Sequence, residues 1–239
     1  RFFANHGLLQ VNDRPTWRVI KGGSRQYVNK LVAGHRDRIR LNSPVDSVRR
    51  INGVVEIHSA SGGRELFDHV FLACHSDQAL ALLKDATPTE REVLGAIRYQ
   101  RNEAVLHTDE SLLPRRHRAW AAWNYHIPRD SGRHVAVTYN MNLLQGLDAG
   151  KQYCVTLNSD RRINPDKVIR RVQYEHPIYS REAVAAQARQ ADVNCERTYF
   201  CGAYWRNGFH EDGVVSALNA VDHFEQRLAD EQLHLRRAS

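Results

Sequence analysis

The segment 198–216 constrains this chain most, because it combines a strand, a glycine turn and a helix start. It reads in order as a short apolar strand, a turn at Gly202, a loop, and the step Glu211-Asp212-Gly213 into an amphipathic helix. A helix N-terminus carries unpaired backbone N–H groups and a partial positive charge, so it attracts phosphate or another electron-rich group. Glycine lets a ligand approach the backbone closely. The segment therefore predicts part of a cofactor cradle.

Length and composition indicate a soluble globular chain. Its 239 residues are enough for one large domain or two smaller ones, and 42% hydrophobic with 26% charged residues is ordinary for that class. No run approaches the roughly 18 apolar residues that a membrane span requires. No signal-peptide pattern is visible. Since the chain begins with Arg1 and its only methionine is Met141, we expect it to be a piece of a longer polypeptide.

The net charge of +7 and the cysteines bear on partners and compartment. The basic residues are mostly scattered arginines, which favours a solvated surface over nucleic-acid binding and leaves peripheral contact with an anionic membrane open. No nucleic-acid motif surrounds them. The four cysteines form no C-x-x-C pair and are too sparse for a disulfide scaffold, so we expect a reducing, cytoplasmic compartment.

Apolar periodicity and turn signals predict alternating strands and helices. Strands are expected at 17–20, 45–51, 54–58, 69–73, 103–107, 119–125, 134–139, 168–174 and 198–200, with an extended piece at 39–41. Helices are expected from Ser24 to Gly34, after a cap at Ser76, and at 89–97, 140–147 and 213–228, with a helix or turn at 181–190. Asn52-Gly53 is a strong two-residue hairpin signal. The order predicts an α/β chain with α+β character.

Two separated pieces of the sequence resemble the FAD-dependent amine oxidase and phytoene desaturase superfamily. The first runs from Gly22-Gly23 through Ser43–Val48 and the hairpin to Asp68–Ala73. The second is the tail, from Phe200-Cys201-Gly202 to Glu211–Ser216. Residues 98–125 are similar to a bacterial branch of predicted NAD/FAD-binding oxidoreductases.

The resemblance implies a partial FAD-binding, glutathione-reductase-like domain with a mixed-sheet substrate domain. Residues 1–75 would belong to the FAD-binding domain, although the first ~15 could belong to the substrate domain, which would be 76–195; residues 196–239 would return to the FAD-binding domain. By resemblance, Val45 would contact adenine, Gly202 the pyrophosphate and Phe209 the flavin. The implied cofactor-binding residues are Val45, Gly202, Ala203, Phe209, Glu211, Asp212, Gly213 and Val214.

The sequence also departs from the family pattern. Ala203 stands where an acidic residue usually follows the tail glycine, the loop to Glu211 looks shorter, and Gly213 comes one place late. No G-x-G-x-x-G occurs anywhere, although the family carries that fingerprint on its first strand–helix turn. We therefore expect the chain alone to retain FAD weakly or not at all.

The residues that flank the tail motif are the candidates for a substrate wall. These substrate candidates are Trp205, Phe209, His210 and Trp123. Trp123 has an alternative interpretation as a core residue, because aromatic residues alternate at strand spacing there. His210 could carry a proton near the flavin. The thirteen histidines do not have the spacing of a metal site. Cys74-His75 does not have the geometry of a nucleophile–base pair, because neighbouring residues at a strand end point apart. No catalytic residue is named.

The expected activity of the whole protein is hydride transfer from a C–H/C–N or C–C bond to FAD. The substrate would be a small molecule or a lipid, and an acyl chain competes with an amine. Alternatives are a non-catalytic binding or interaction module, a degenerate flavoprotein, or a basic nucleic-acid binder. The oligomeric state cannot be read from the sequence.

Overall fold

A computed structural model describes residues 10, 12–13, 16, 18–127, 136–159 and 163–238. The helices and strands, in chain order, are α1 (Arg25–Leu31), β1 (Val45–Ile51), β2 (Val54–Ser59), β3 (Arg64–Phe67), β4 (Val70–Leu72), α2 (Ser76–Leu82), α3 (Pro88–Gly95), β5 (Tyr99–His107), β6 (Trp123–His126), β7 (Ala136–Asn140), α4 (Met141–Gln145), β8 (Cys154–Leu157), β9 (Val168–Pro177), α5 (Arg181–Gln187), α6 (Gln190–Val193), β10 (Thr198–Phe200) and α7 (His210–Ala238).

The chain divides into two compact units. The described parts of 1–39 and 102–174 form one, here called the sheet unit, and those of 40–101 and 175–239 form the other, the tail unit. The predicted division at 1–75, 76–195 and 196–239 separates regions by function, whereas the two units are defined by compactness. The predicted division therefore stays a prediction.

The tail unit contains an antiparallel meander and a parallel strand pair. Strands β1, β2 and β3 are neighbours in that order. The predicted turn joins β1 to β2, with Asn52 at φ 48° and Gly53 at φ 78°, both in the left-handed region that a two-residue hairpin requires. Strand β10 pairs with β4 in parallel, placing Phe200 opposite Leu72. These mixed sheets and helices confirm the predicted α/β class with α+β character.

A buried ion pair joins three segments of the tail unit. Arg50 on β1 donates from Nη1 and Nη2 to the two carboxylate oxygens of Glu90 on α3, at 2.6 and 2.8 Å. Its Nε reaches Asp85 Oδ2 at 2.9 Å, and Nη1 also reaches Thr198 Oγ1 on β10 at 3.0 Å. The side chain of Arg50 is 10% exposed and that of Glu90 is 1% exposed. These contacts raise the pKa of Arg50, so the guanidinium is charged.

Apolar side chains pack around this pair. Helix α3 begins with a capping box in which Thr87 accepts from Glu90 N–H and Glu90 accepts from Thr87 N–H. The largest side chains of the surrounding buried cluster are Leu94, Ile97, Phe200, Tyr204 and Trp205. The tail segment is therefore part of the core of its unit.

The sheet unit is built on a five-stranded sheet in the order β6-β7-β8-β5-β9. Its pairings β6–β7, β7–β8 and β8–β5 are antiparallel. Strand β8, which lies at the centre, has no counterpart among the predicted strands. Helix α4 follows β7 because Asn140 accepts from Leu143 N–H and Gly146, at φ 62°, ends the helix.

A buried histidine is neutral in this sheet. Asp109 N–H donates to His107 Nδ1 at 3.0 Å, so Nε2 carries the hydrogen and donates to Thr156 Oγ1 at 2.7 Å. The Thr156 and Thr138 hydroxyls share a hydrogen bond at 2.9 Å. Burial lowers the pKa of His107.

Several predicted elements differ in the structure. Residues 18–20 are irregular and exposed, and Trp17 lies outside the described residues; 39–41 contain no strand. The strand predicted from 119 begins at Trp123, because His117–Ala119 form a 3-10 turn. Ser76 does not cap α2: it is the first helical residue, and its hydroxyl donates to Ile97 O at 3.0 Å.

Breaking the buried ion pair should destabilise the tail unit strongly. In Glu90→Gln the buried Arg50 charge would lose the carboxylate that it contacts through two nitrogens and would keep only Asp85, which should cost up to about 3–5 kcal/mol of unfolding free energy. Urea unfolding measures this. Glu103→Gln is the matched control, because it makes the same change in the exposed pair with Arg171 and should cost less than about 1 kcal/mol. Equal losses in the two variants would contradict the role given to Glu90.

His107 should make stability fall in acid. Its lowered native pKa means that the unfolded chain binds more protons below about pH 6.5, so unfolding free energy decreases as pH falls through that value, by up to about 1.4 kcal/mol per pH unit. His107→Gln should flatten this slope between pH 7.5 and 5.5 in thermal unfolding. The exposed-site control His35→Gln should leave the slope unchanged.

Candidate functional site

The candidate site is the loop between β10 and α7, held by side chains of the tail unit. Cys201 N–H donates to Leu72 O at 3.1 Å and so continues the pairing of β10 with β4. Gln190 Nε2 donates to Phe200 O and to Ser216 O, both at 2.9 Å, joining the end of β10 to α7. Gln187 Nε2 donates to the carbonyls of Tyr204 and Arg206 within the loop. Sequence reasoning missed both glutamines.

Gly202 is in close contact with a side chain of its own loop. A Cβ at this position would lie within 2.7 Å of Tyr204 Cδ1 and closer still to Cε1. Tyr204 is 4% exposed and belongs to the core cluster, and burial raises the pKa of its hydroxyl. Gly202 N–H donates to Ser216 Oγ at 2.9 Å. Position 202 therefore requires glycine because the Tyr204 side chain of the same loop packs against it.

Helix α7 begins at His210, earlier than the predicted start at Gly213, and continues to Ala238, beyond the predicted end at Leu228. Asp212 explains the early start, because its Oδ2 accepts from Phe209 N–H at 2.9 Å and from Asn207 N–H at 3.2 Å. This carboxylate is buried at 7% exposure and lies 3.7 Å from Arg206 Nε. The acidic step thus lies inside the first turn and caps it from within.

The first turn of α7 still offers open donors. Gly213 N–H bonds to Phe209 O at 3.2 Å. Within the part of the chain that the structure describes, no hydrogen bond of the Glu211 or Asp212 amide is found. Val214, one position further on, is 52% exposed. This turn can therefore present two N–H groups and an apolar side chain to a ligand.

A second glycine of the loop is fixed by a tyrosine. Gly208 has φ 93°, a conformation that favours glycine, and a Cβ there would lie 2.8 Å from the Tyr179 hydroxyl. Burial raises the pKa of Tyr179 to about 12, so the phenol is neutral. Neither residue was predicted, and no sequence signal links Tyr179 to the loop.

The other predicted site residues lie in different surroundings. Phe209 and His210 are at the start of α7, but Trp205 is 3% exposed in the core. Val45 is the first residue of β1 and is 38% exposed. Trp123 lies on β6 in the sheet unit, stacked edge-on against Tyr139. The loop thus unites Gly202, Ala203 and 209–214; Trp123 is in the other unit.

Among the described residues, neither a metal site nor an activated thiol is found. No group of three or more His, Cys, Asp or Glu side chains there could hold a metal ion. Burial raises the pKa of the Cys74 thiol, and the neighbouring His75 ring stacks on Tyr99 at 4.2 Å. Cys74 is therefore held in its protonated, weakly nucleophilic form.

A flavin fits one end of this loop better than the other. The α7 end fits, because the Glu211 and Asp212 amides are open and Val214 is exposed. At the other end, Tyr204 packs against the Cα of Gly202 on the side where a Cβ would point, and Asp212 already accepts the Asn207 and Phe209 amides. The residues present therefore fit the ring of a flavin at the helix start more closely than a pyrophosphate at Gly202.

Comparison with known proteins shows that the fold is similar to those of amine oxidases and of a fatty acid isomerase. Residues 2–114 match the family described as flavin containing amine oxidoreductase, and the predicted resemblance to the FAD-dependent amine oxidase superfamily is confirmed. The CLA-producing fatty acid isomerase from P. acnes is similar, with a TM-score of 0.57 and 16% identity over 84% of this chain and 52% of that one.

Two oxidases are similar to the same extent. Putrescine oxidase bound to putrescine gives a TM-score of 0.54 at 12% identity, over 85% of this chain and 53% of that one. Cyclohexylamine oxidase from Brevibacterium oxydans IH-35A gives 0.54 at 14%, with the same coverage. The chain thus spans about half the length of these solved structures, and the likeness shows the fold alone. No protein of curated function matches the chain.

The described helices were also searched for membrane spans. None of them is both long and apolar enough to cross a bilayer.

Gly202 and Gly213 should respond oppositely to alanine. Gly202→Ala would force the added methyl into the Tyr204 ring, which should cost about 1–3 kcal/mol of unfolding free energy. In Gly213→Ala, the methyl would lie 4.0 Å from Ala203, and alanine in a helix should stabilise by about 0.5–1 kcal/mol. Urea unfolding of both variants tests this. A Gly202→Ala variant as stable as the parent would disprove the packing role of Tyr204.

Proposed function

We propose that this chain is part of an FAD-dependent oxidoreductase of the amine oxidase-like class. The observation that carries the proposal is the parallel pair β4–β10, whose carboxyl ends lie at the same sheet edge. Strand β10 leads from there into a loop and the 29-residue helix α7. Ligands of α/β sheets bind at the carboxyl ends of the strands, next to a helix N-terminus. The match of residues 2–114 to flavin containing amine oxidoreductases supports the same assignment.

In this proposal the first turn of α7 holds the flavin edge. The Glu211 and Asp212 amides would donate to it, Gly213 would allow close approach, and Val214 and Phe209 would contact the ring. The chemistry that bound FAD supplies is acceptance of a hydride equivalent from a C–H bond of the substrate. The helix dipole would favour negative charge at the neighbouring edge, although the Asp212 carboxylate offsets part of that field.

Roles for the remaining predicted residues are part of the proposal. Val45 would contact adenine through its backbone, and Gly202 with Ala203 would lie along the pyrophosphate after Tyr204 has moved aside. His210, exposed beside Phe209, would contact substrate, and Trp205 would do so after turning out of the core, where it is 3% exposed. No catalytic base is assigned, because hydride transfer needs none.

For the substrate and the compartment, the proposal names only general classes. A small molecule or lipid whose C–H/C–N or C–C bond is oxidised suits the class, since the similar structures include enzymes named for putrescine, cyclohexylamine and a fatty acid. Four free cysteines favour a reducing, cytoplasmic location in a bacterium. We expect no nucleic-acid partner, because the arginines are scattered along the sequence.

A second candidate is a non-catalytic binding module or degenerate flavoprotein. The observation that favours it is Tyr204, which packs against Gly202 where the cofactor cradle is predicted. The two candidates differ in a single measurable property, binding of FAD at the start of α7.

Flavin binding at α7 can be tested with two matched variants. Val214 and Leu218 are both exposed on α7, one turn apart, at 52% and 58%. We expect the chain to quench FAD fluorescence saturably, with a Kd above ~10 μM because such a partial cradle contributes few hydrogen bonds. Val214→Asp should weaken binding about tenfold, since it places a carboxylate beside the flavin edge.

Leu218→Asp is the control and should bind FAD like the parent, because it lies beyond the first turn where the dipole acts. No quenching at millimolar FAD, or equal losses in both variants, would favour the non-catalytic module. Purified chain with nearly stoichiometric flavin absorbance would contradict the expected weak retention.

A further inference from the structure

Three consecutive residues of the candidate loop carry hydrogen-bond donors that have no acceptor. Ala203, Tyr204 and Trp205 form a 3-10 turn directly after Gly202. Within the described chain, the Tyr204 hydroxyl and the Trp205 indole N–H are buried and have no hydrogen-bond partner. These two side chains are 4% and 3% exposed. No hydrogen bond of the Ala203 amide is found there either. The turn therefore holds three donors that the described protein does not satisfy.

Packing does not explain the Tyr204 hydroxyl. Buried polar groups are nearly always paired, because an unpaired one loses its bonds to water and gains none in return. Tyr199, another buried tyrosine of the tail unit, follows this rule, since its hydroxyl donates to Glu196 O at 3.2 Å. A phenylalanine at position 204 would fill the same space in the core without the unpaired group. The hydroxyl therefore indicates a second arrangement in which it has an acceptor.

The Tyr204 ring occupies the space beside Gly202. Its Cδ1 lies 2.7 Å, and its Cζ 3.5 Å, from the position that a Cβ of residue 202 would take. The Trp205 ring lies 5.2 Å from it between centroids and belongs to the same buried cluster. Burial raises the pKa of the Tyr204 phenol, so this group is neutral and has a hydrogen to donate. A ligand can reach the Gly202 backbone from this side only when the ring leaves.

The backbone of the turn is held independently of the Tyr204 ring. Gln187 Nε2 donates to Tyr204 O at 2.8 Å, and Trp205 N–H donates to Gly202 O at 3.2 Å. Gly202 N–H donates to Ser216 Oγ on α7 at 2.9 Å. None of these bonds involves the phenol. Rotation of the side chain about its Cα–Cβ bond would therefore open the space beside Gly202 and leave the loop in place.

The surroundings of Gly202 indicate an oxyanion as the ligand. Donors on neighbouring residues are best satisfied by one group with several acceptor oxygens, and a phosphate group is of this kind. The place lies at the carboxyl end of β10 and before the N-terminus of the 29-residue helix α7, where negative charge is favoured. The buried donors without partners are an independent observation that points to the same ligand. In a dinucleotide this group is the diphosphate.

We infer that Tyr204 is a gate for the diphosphate of a dinucleotide: its ring fills the place beside Gly202 in the free chain and turns outward when the diphosphate binds. The phenol then gains an acceptor, either a phosphate oxygen or water. This inference rests on the proposed function, because it describes how the same loop controls the access of FAD. The apparent affinity is the intrinsic affinity multiplied by the fraction of molecules whose gate is open, so the gate contributes to the weak retention expected of the chain.

Two flavins separate the gate from the flavin-ring site. FAD carries the diphosphate and riboflavin does not, so only FAD requires the gate to open. Equilibrium dialysis of the full chain against each flavin gives both affinities. In Tyr204→Ala the place is open, and FAD should bind about tenfold more tightly than in the parent. Tyr204→Phe keeps the ring and removes its reason to leave the core, so FAD should bind about fivefold more weakly. Riboflavin affinity should stay within about twofold of the parent in both variants.

The hydroxyl can be tested without removing a ring from the core. Tyr204→Phe should raise the melting temperature by about 2–4 °C, because a buried group without a partner is deleted. Tyr199→Phe is the matched control, since it deletes a hydroxyl that has a partner. It should lower the melting temperature and leave the ratio of FAD to riboflavin affinity unchanged. A Tyr204→Phe protein no more stable than the parent would mean that the hydroxyl is already satisfied, which would overturn the inference.

ADP, which carries a diphosphate but no flavin, distinguishes failure of the gate from failure of the proposed function. Equal FAD affinities in the parent and both Tyr204 variants, with riboflavin still bound, would overturn the gate and leave the flavin site at α7 intact. Tighter binding of ADP to Tyr204→Ala than to the parent, without any binding of riboflavin, would support the gate and count against the flavin assignment. No binding of ADP, FAD or riboflavin by Tyr204→Ala would overturn both proposals.

Discussion

The buried pair between Arg50 and Glu90 is the interaction on which the tail unit depends. It links the meander, helix α3 and strand β10, which come from distant parts of the sequence. Two charges out of water are expensive unless every donor and acceptor is satisfied. Here the guanidinium bonds to two carboxylates, a carbonyl and a hydroxyl, which fixes the position of β10 and therefore of the loop that follows it.

The two units differ in the polar groups that they bury. The tail unit buries a charged pair together with an apolar cluster that includes Trp205. The sheet unit buries hydroxyls and a neutral histidine and leaves aromatic rings outside.

Local signals in the sequence predicted local structure well. The Asn52-Gly53 hairpin and the strand–loop–helix order of the tail appear as predicted, because turn chemistry and apolar periodicity act over a few residues. Strand β8 was missed because four residues carry little periodicity, and its partners β7 and β5 alone make it a strand. The early start of α7 depends on one side-chain cap, Asp212.

For the site, sequence could indicate residue types but not their surroundings. The sequence predicted that a group would approach the backbone closely at Gly202. The structure has such a contact, and the group that makes it is the Tyr204 side chain. Gln187 and Gln190 could not have been found, because a glutamine that bonds to carbonyls of a distant loop has no pattern in sequence. Which side chains of the sheet are buried could likewise be recognised only from the strand register.

The distance along the chain between Arg50 and Thr198, 148 positions, has a consequence for folding order. The tail unit can close only after the entire segment 102–174 has been made and looped out, and the entropy of that closure must be overcome before the ion pair forms. Contacts of this separation make folding slow. During synthesis the sheet unit's strands are available earlier than β10, so the candidate cofactor loop becomes ordered after they do.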